Sequence, residues 1–155
     1  MTKVLFVCHG NICRSPMGEV ILKDMARRRG VSDVLYIESA AAHMDEIGSP
    51  VYPPARRKLA QMGISCDGKR ARLMTRADYD RFDLLLGADS YNIRDMRRIC
   101  GGDPQNKIRR LHDFTANPRD IADPWYTDDF DTAANDIVEG CEALLGELFG
   151  GKAGE

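Results

Sequence analysis

The segment VLFVCHGNICRSPMGE, from Val4 to Glu19, limits the possible folds of this chain more than any other stretch. Four apolar residues precede Cys8, and this pattern predicts a buried strand over Val4 to Val7. A helix is predicted from Pro16 to Arg29, with Ser15 as its N-cap and a proline at its first position. The residues between them therefore form a loop at the carboxyl edge of a sheet, where open α/β sheets bind ligands.

The loop CHGNICRS contains the residue types needed to hold an oxyanion beside a thiol. Gly10 can adopt a positive φ without steric cost and Asn11 tolerates one, so successive backbone N–H groups can turn inward as an anion nest. The helix N-terminus adds positive potential, and the Arg14 guanidinium can bind two phosphate oxygens at once. The same positive surroundings favour a thiolate at Cys8, so the loop can hold an oxyanion over a nucleophile.

Cys8 also has a simpler interpretation, as a small buried residue at the end of a strand. A cysteine and an arginine separated by five residues occur together by chance in many chains. Here glycine, asparagine and serine lie between a predicted strand and a predicted helix, and this combination favours the catalytic interpretation.

The rest of the chain alternates short apolar runs with longer amphipathic ones, which predicts one α/β domain over residues 1–150 around a parallel sheet. Further strands are predicted at Val34 to Glu38, Phe82 to Gly87 and Lys107 to Leu111. Further helices are predicted at Pro54 to Met62, Ser90 to Ile99 and Phe130 to Phe149. The segment from Asp113 to Asp129 has no sustained period and is predicted to be a functional loop. Residues 151–155 are predicted to form a disordered tail.

Composition narrows the class of protein further. A chain of 155 residues that is 43% apolar can bury one core, and its net charge of -2 gives no case for binding nucleic acid or an anionic membrane. Five irregularly spaced cysteines indicate reduced thiols, and the apolar run at the N-terminus is short, so we expect a cytoplasmic protein. The three histidines are too scattered for a metal site, and no metal or organic cofactor is implied.

Three segments resemble the low-molecular-weight protein tyrosine phosphatase family. VLFVCHGNICRSPMGE resembles its phosphate-binding loop, FDLLLGADSYNIRDM its third strand and following helix, and DPWYTDDFD its general-acid segment. The resemblance covers nearly the whole chain and implies a four-stranded parallel sheet, order 2-1-3-4, with helices on both faces. It also implies a phosphotyrosine-containing protein or peptide as the partner, and a monomer or weak dimer.

The resemblance assigns three catalytic roles. Cys8 attacks phosphorus, Arg14 binds the phosphoryl oxygens, and Asp123 protonates the departing phenolate. These roles agree with the chemistry of the side chains, because a thiolate nucleophile divides one displacement at phosphorus into two steps, formation and hydrolysis of a phosphocysteine. The carboxyl that acted as acid can then serve as base for the attacking water.

Other roles follow from the same resemblance. Asn11 and Ser15 match residues that hold the loop and bind the thiolate, with Ser39, at the end of the second strand, in the same network. Cys13 matches a second loop cysteine that can form a disulfide with an oxidised nucleophile. The His9 side chain is expected at the rim of the pocket, directed away from phosphate. The remaining residues implied to line the phosphate loop are Gly10 and Ile12.

The walls of the aromatic cleft are less regular than the loop. Trp125 and Tyr126 follow Asp123 and are expected to contact a substrate ring, with Tyr52 as a further candidate. Family members commonly have Gly-Thr after Ser-Ala, and then an aromatic residue and a histidine before the next glycine. This chain departs from that pattern at Ala41, Ala42, Asp45 and Glu46. The changes bear on substrate preference rather than on the chemistry.

Three alternatives remain open at this point. Arsenate reduction on the same fold needs closely spaced relay cysteines, a spacing that Cys66 and Cys100 lack; with Cys141 they are expected to be core or surface thiols. A protein arginine phosphatase would carry threonine where this loop has Ile12. A catalytically silent phosphate-binding module is disfavoured because Cys8, Arg14 and Asp123 are all present.

Overall fold

In the computed structural model, which describes residues 1–150, four parallel strands form one sheet. The strands are β1 (Thr2–Cys8), β2 (Leu35–Ala41), β3 (Leu84–Gly87) and β4 (Ile108–Arg110). Their order is β2-β1-β3-β4, which confirms the predicted topology. The chain adds β2 on one side of β1 and β3 on the other, so the carboxyl ends of β1 and β3 lie side by side at a switch point.

Within residues 1–150, six α-helices connect and cover the strands: α1 (Arg14–Arg29), α2 (Pro53–Gln61), α3 (Ala77–Arg81), α4 (Ser90–Cys100), α5 (Pro124–Thr127) and α6 (Phe130–Phe149). The sequence predicts α1, α2, α4 and α6 but not the short α3 and α5. Because α5 lies inside the segment predicted as a loop from Asp113 to Asp129, that prediction is wrong for the four residues of α5, and also for Asp113 and Phe114, which end a 3-10 helix over Leu111–Phe114. For α5 the cause is a local start signal, Asp123 followed by proline, that needs no periodicity.

The sheet is covered on both faces, as predicted. Val4 and Phe6 of β1 pack in one core with α1, α2 and α6, whereas Leu5 and Val7 pack in a second core with α3 and α4. This alternation follows from strand geometry, because successive side chains point to opposite faces. Among residues 1–150, no helix has both the length and the apolar character needed to cross a membrane.

Helix α1 approaches β1 closely at Gly18. A Cβ at this position would lie 2.7 Å from a ring carbon of Phe6, which is too close for any larger residue without movement of the ring. The absence of a side chain at Gly18 therefore sets the distance between α1 and the sheet. It brings the N-terminus of α1 to the end of β1.

Several element boundaries differ from the predictions. Strand β2 runs from Leu35 to Ala41 rather than from Val34 to Glu38, so Ser39 lies inside the strand and not at its end. Alanine carries little strand signal, but Ala40 and Ala41 pair with the last two residues of β1 and are fully buried there. The predicted tail at residues 151–155 lies outside the described residues.

Candidate active site

The loop that follows β1 leads directly into helix α1. The helix begins at Arg14 with Cys13 in the N-cap position, so the prediction of Ser15 as the N-cap is wrong. Ser15 instead lies in the first turn, and its hydroxyl is used inside the site. Its Oγ lies 3.0 Å from Cys8 Sγ and therefore does not cap the helix.

Asn11 holds the loop from the inside. Its φ is 59°, in the left-handed region that asparagine tolerates, and it is 1% exposed. The side-chain nitrogen donates to Ser15 Oγ at 2.8 Å and to Ser39 Oγ at 3.0 Å, and the side-chain oxygen accepts the backbone N–H of Arg72 at 3.1 Å. Both amide hydrogens and the carbonyl oxygen are thus satisfied, which fixes the orientation of the amide.

A buried carboxylate terminates this hydrogen-bond network. Ser39 Oγ donates to Oε1 of Glu19 at 2.6 Å, and Lys23 Nζ donates to Oε2 of Glu19 at 2.7 Å. Because Ser39 gives its hydrogen to Glu19, it can only accept from Asn11. The donor and acceptor of each hydrogen bond in the series are therefore fixed: Asn11 donates to Ser39, and Ser39 donates to Glu19.

Ser15 directs two hydrogen-bond donors at the Cys8 sulfur. The backbone N–H of Ser15 donates to Sγ at 3.3 Å, and the Ser15 hydroxyl lies 3.0 Å from the same sulfur. Since Ser15 Oγ accepts from Asn11, its own hydrogen is available to the sulfur; the alternative acceptor, the Ala40 carbonyl, is farther away at 3.4 Å. Two donors directed at one sulfur stabilise a thiolate.

Arg14 is a buried cation that joins the loop to two other segments. It is 3% exposed; Nη1 donates to Asp89 Oδ2 at 2.6 Å and to the Ile121 carbonyl at 2.7 Å, and Nη2 lies 3.4 Å from Asp123 Oδ2. Burial disfavours its charge, but the negative charges of Cys8, Asp89 and Asp123 outweigh burial and raise the pKa of Arg14. Within residues 1–150 the buried Nε has no hydrogen-bond partner, so its N–H remains for a ligand.

Asp123 occupies the N-cap position of α5. Its Oδ1 accepts the backbone N–H of Trp125 at 3.0 Å, and its Oδ2 faces Arg14. The side chain is 23% exposed, in contrast to the buried residues of the loop. The predicted general acid therefore lies beside the predicted phosphate-binding arginine and remains open to solvent.

Cys13 differs from Cys8 in its surroundings. Burial and, next, the nearby negative charge of Cys8 raise the pKa of the Cys13 thiol, with a smaller contribution from Asp123. The Cys13 side chain is consequently a protonated thiol at neutral pH.

These residues open onto a cleft of about 750 Å³. The loop residues that line it are Cys8, His9, Gly10, Ile12, Cys13 and Arg14, whereas Asn11, Ser15 and Ser39 lie behind the loop. Trp125 and Tyr126 line the opposite side and are 52% and 84% exposed. Tyr52 packs against Trp125, with 4.9 Å between ring centroids, and so supports that wall rather than lining the cleft.

The His9 ring lies at the rim of the cleft. It is half exposed, its Nε2 lies 2.8 Å from Asp45 Oδ2, and it stacks on the His43 ring with 4.1 Å between centroids. The His43 ring in turn lies 2.8 Å from Asp95 Oδ2. The atypical loop after β2 is thereby joined to the phosphate loop.

Some residues at the site were not identified from the sequence. Asp89, which binds Arg14, follows β3 and forms a capping box with Asn92, so its position before a predicted helix was a usable signal. Glu19 and Arg72 had no such signal. Their roles depend on contacts made only when α1 and the segment after α2 pack against β2.

A parallel α/β sheet with a cysteine–arginine loop at its switch point defines a phosphate-binding protein. The family model for low molecular weight phosphotyrosine protein phosphatase matches residues 3–152, and the chain belongs to this family. The low molecular weight protein-tyrosine-phosphatase YfkJ of Bacillus subtilis is 38% identical over 96% of both chains, and its crystal structure matches with a TM-score of 0.92.

Other relatives give the same result. Low molecular weight phosphotyrosine protein phosphatase 1 of Drosophila melanogaster is 33% identical over 94% of this chain and 96% of its own length. The crystal structure of SP-PTP, a low molecular weight protein tyrosine phosphatase from Streptococcus pyogenes, has 34% identity and a TM-score of 0.86, covering 96% of this chain and 94% of that one. Each similarity extends over nearly the whole domain.

Proposed function

We propose that this protein hydrolyses phosphotyrosine in proteins and peptides through a phosphocysteine intermediate on Cys8. One observation carries the proposal: a thiol with two hydrogen-bond donors, a buried arginine and a solvent-accessible aspartate converge in one cleft. The names of the relatives support phosphotyrosine as the substrate.

Phosphate binding comes first. The N-terminus of α1 and the turned backbone around Asn11 direct positive potential toward the space over Cys8. The Nε of Arg14, which has no hydrogen-bond partner in the described part of the chain, supplies a charged donor for a phosphoryl oxygen. Because Asp89 and the Ile121 carbonyl hold the guanidinium in place, it needs little reorganisation when the substrate binds.

Phosphoryl transfer to the enzyme is the first chemical step. The Cys8 thiolate forms a bond to phosphorus while the bond from phosphorus to the phenolic oxygen breaks. Asp123 gives its proton to that oxygen, so tyrosine leaves as a neutral phenol. The acid is needed because a tyrosine phenolate, whose conjugate acid has a pKa of about 10, departs poorly without a proton.

Hydrolysis of the phosphocysteine is the second step. Asp123, now a carboxylate, takes a proton from a water molecule that attacks phosphorus, and the bond from sulfur to phosphorus breaks. The products are inorganic phosphate and the Cys8 thiolate. The Ser15 hydroxyl and N–H, both directed at Sγ, stabilise that thiolate as it departs.

We also propose that Cys13 protects an oxidised nucleophile. Peroxide converts the Cys8 thiolate to a sulfenic acid, and the Cys13 sulfur then displaces hydroxide to form a disulfide, with its proton completing a water molecule. Peptide mapping after mild peroxide treatment should find this crosslink, and its absence would contradict the role. We also propose a cytoplasmic location, which is supported by the five free cysteines of the described residues, since reduced thiols are typical of a reducing compartment.

Release of inorganic phosphate from matched peptides tests the proposed function. We expect a phosphotyrosine peptide to be hydrolysed in preference to phosphoserine, phosphothreonine and phosphoarginine versions of the same sequence. Cys66→Ser is the control for thiol loss, because Cys66 does not line the cleft, and it should remain active. Preference for phosphoarginine, or hydrolysis of none of the peptides, would contradict the proposal.

A further inference from the structure

The mouth of the cleft carries more negative than positive side chains. Among the residues that the structure describes, six carboxylates line the cleft: Asp45, Glu46, Asp89, Asp95, Asp120 and Asp123. Two arginines line it, Arg14 and Arg94. Residues that flank a bound phosphotyrosine would meet an excess of negative charge, unless the carboxylates are already neutralised within the protein.

Four of the six carboxylates are paired with arginine. The partners are Arg14 for Asp89 and Asp123, Arg98 for Asp95, and Arg110 for Asp120, all within 3.4 Å. The exposed Arg94 also lies beside Asp95, at 3.7 Å. Each of these four groups therefore has an arginine beside it, with Arg14 shared between Asp89 and Asp123, and this reduces the charge that they present to an incoming substrate.

Asp45 and Glu46 have no lysine or arginine partner in the part of the chain that the structure describes. Asp45 is 65% exposed and contacts the His9 imidazole, and Glu46 accepts the hydroxyl of Ser49 at 3.0 Å. A hydroxyl does not neutralise a carboxylate, and an imidazole does so only when it is protonated. Of the six carboxylates, these two adjacent residues are therefore the ones whose charge is not reduced by a lysine or arginine in the described part of the chain.

The two carboxylates are held close to the phosphate loop. The backbone N–H of His43 donates to the His9 carbonyl at 3.0 Å, and the two imidazoles stack. The Glu46 side chain packs over Gly10, since a Cβ at Gly10 would lie 3.4 Å from Glu46 Cγ. The atypical loop thus presents its charge beside the phosphate loop, in the cleft that a substrate bound over Cys8 would occupy.

We propose that Asp45 and Glu46 select phosphotyrosine sites flanked by lysine or arginine. This inference rests on the proposed function and names the class of its substrates. A flanking cation gains attraction from both carboxylates, whereas a flanking aspartate or glutamate is repelled. Because exposed charges interact modestly and are screened by salt, we expect roughly a tenfold preference in kcat/KM at low ionic strength, expressed mainly in KM.

Two phosphotyrosine peptides that differ only in their flanking residues, lysine in one and aspartate in the other, test the inference. The ratio of their kcat/KM values is measured at low and high salt. We expect the ratio to favour the lysine peptide in the wild-type protein and to approach one in D45N/E46Q, which preserves side-chain shape. E142Q is the matched control, because Glu142 is exposed on α6 away from the cleft, and it should keep the wild-type ratio.

The ratio distinguishes this inference from the function on which it rests. Equal hydrolysis of both peptides by the wild-type protein would overturn the inference and leave the phosphatase intact. A preference that persists unchanged in D45N/E46Q would also overturn it. Hydrolysis of neither peptide would overturn the proposed function and the inference together.

Discussion

The two sides of the cleft are built differently. On the side of the phosphate loop, Asn11, Ser15 and Ser39 are buried and joined by directed hydrogen bonds. On the other side, Asp123 is held by one backbone N–H and by Arg14, and Trp125 is half exposed. The difference indicates that the nucleophile is rigidly prepared for reaction, whereas the acid and the aromatic wall can adjust to the substrate.

Loss of the nucleophile should have the largest effect. We expect Cys8→Ser to reduce kcat by at least about 10⁴-fold, because serine in this loop has no base to activate it. Vanadate or phosphate should still bind, since the loop backbone and Arg14 remain, and isothermal titration can measure this. Activity comparable to the wild-type protein would show that the rigid side of the cleft does not supply the nucleophile.

The effect of removing the general acid on kcat/KM should depend on the leaving group of the substrate. We expect Asp123→Asn to lower kcat/KM for phenyl phosphate by about 10²- to 10⁴-fold and for p-nitrophenyl phosphate by much less, because p-nitrophenolate departs without a proton. Thermal stability should barely change, since asparagine can also cap α5. Equal losses for both substrates would assign Asp123 a structural role, with Asp120 and Asp128 as the next candidates.

Disruption of the buried network should instead reduce stability. Asn11→Ala removes three hydrogen bonds and places alanine in the left-handed region, so we expect about 3 kcal/mol loss in the free energy of unfolding by urea. Asn11→Gly is the matched control, because it loses the same bonds but tolerates the positive φ. It should be about 1 kcal/mol more stable than the alanine variant. Two variants of equal stability would argue against backbone strain at this position.

Alkaline pH should produce the smallest effect. Burial raises the pKa values of the Cys13 and Cys141 thiols above their ordinary value of 9.0, so these groups ionise more readily in the unfolded chain. Their contribution to stability is complete below pH 9 and decreases as the pH rises, by about 1 kcal/mol per thiol at one pH unit higher. Cys141→Ala should make urea unfolding less dependent on pH between 8 and about 10. An unchanged dependence would mean that Cys141 is not protected from ionisation.

A similar difference, between local sequence signals and contacts made only in the folded protein, explains which features could be predicted from the sequence. The phosphate loop was predicted because glycine, asparagine and a proline near the start of a helix are local signals that follow an apolar strand. The details differ, because the helix begins at Arg14 rather than Pro16, and Asn11 but not Gly10 adopts a positive φ. The contact from Arg14 to Asp89, the stacking of His9 on His43 and the extension of β2 through Ala41 were not predicted. They bring together residues far apart in sequence and depend on how the strands pair. The N-cap role predicted for Ser15 was wrong because α1 begins one residue before it, at Arg14, whereas the expected contact of its hydroxyl with Cys8 is present.

A burst experiment with Asp123→Asn tests the central claim most directly. With p-nitrophenyl phosphate the first step needs no acid, but hydrolysis of the phosphocysteine still needs the missing base. We therefore expect a rapid release of about one p-nitrophenolate per active site, followed by slow turnover, with the trapped phosphate mapped to Cys8. Absence of a burst, or phosphate mapped to His9 instead, would contradict a mechanism that passes through Cys8.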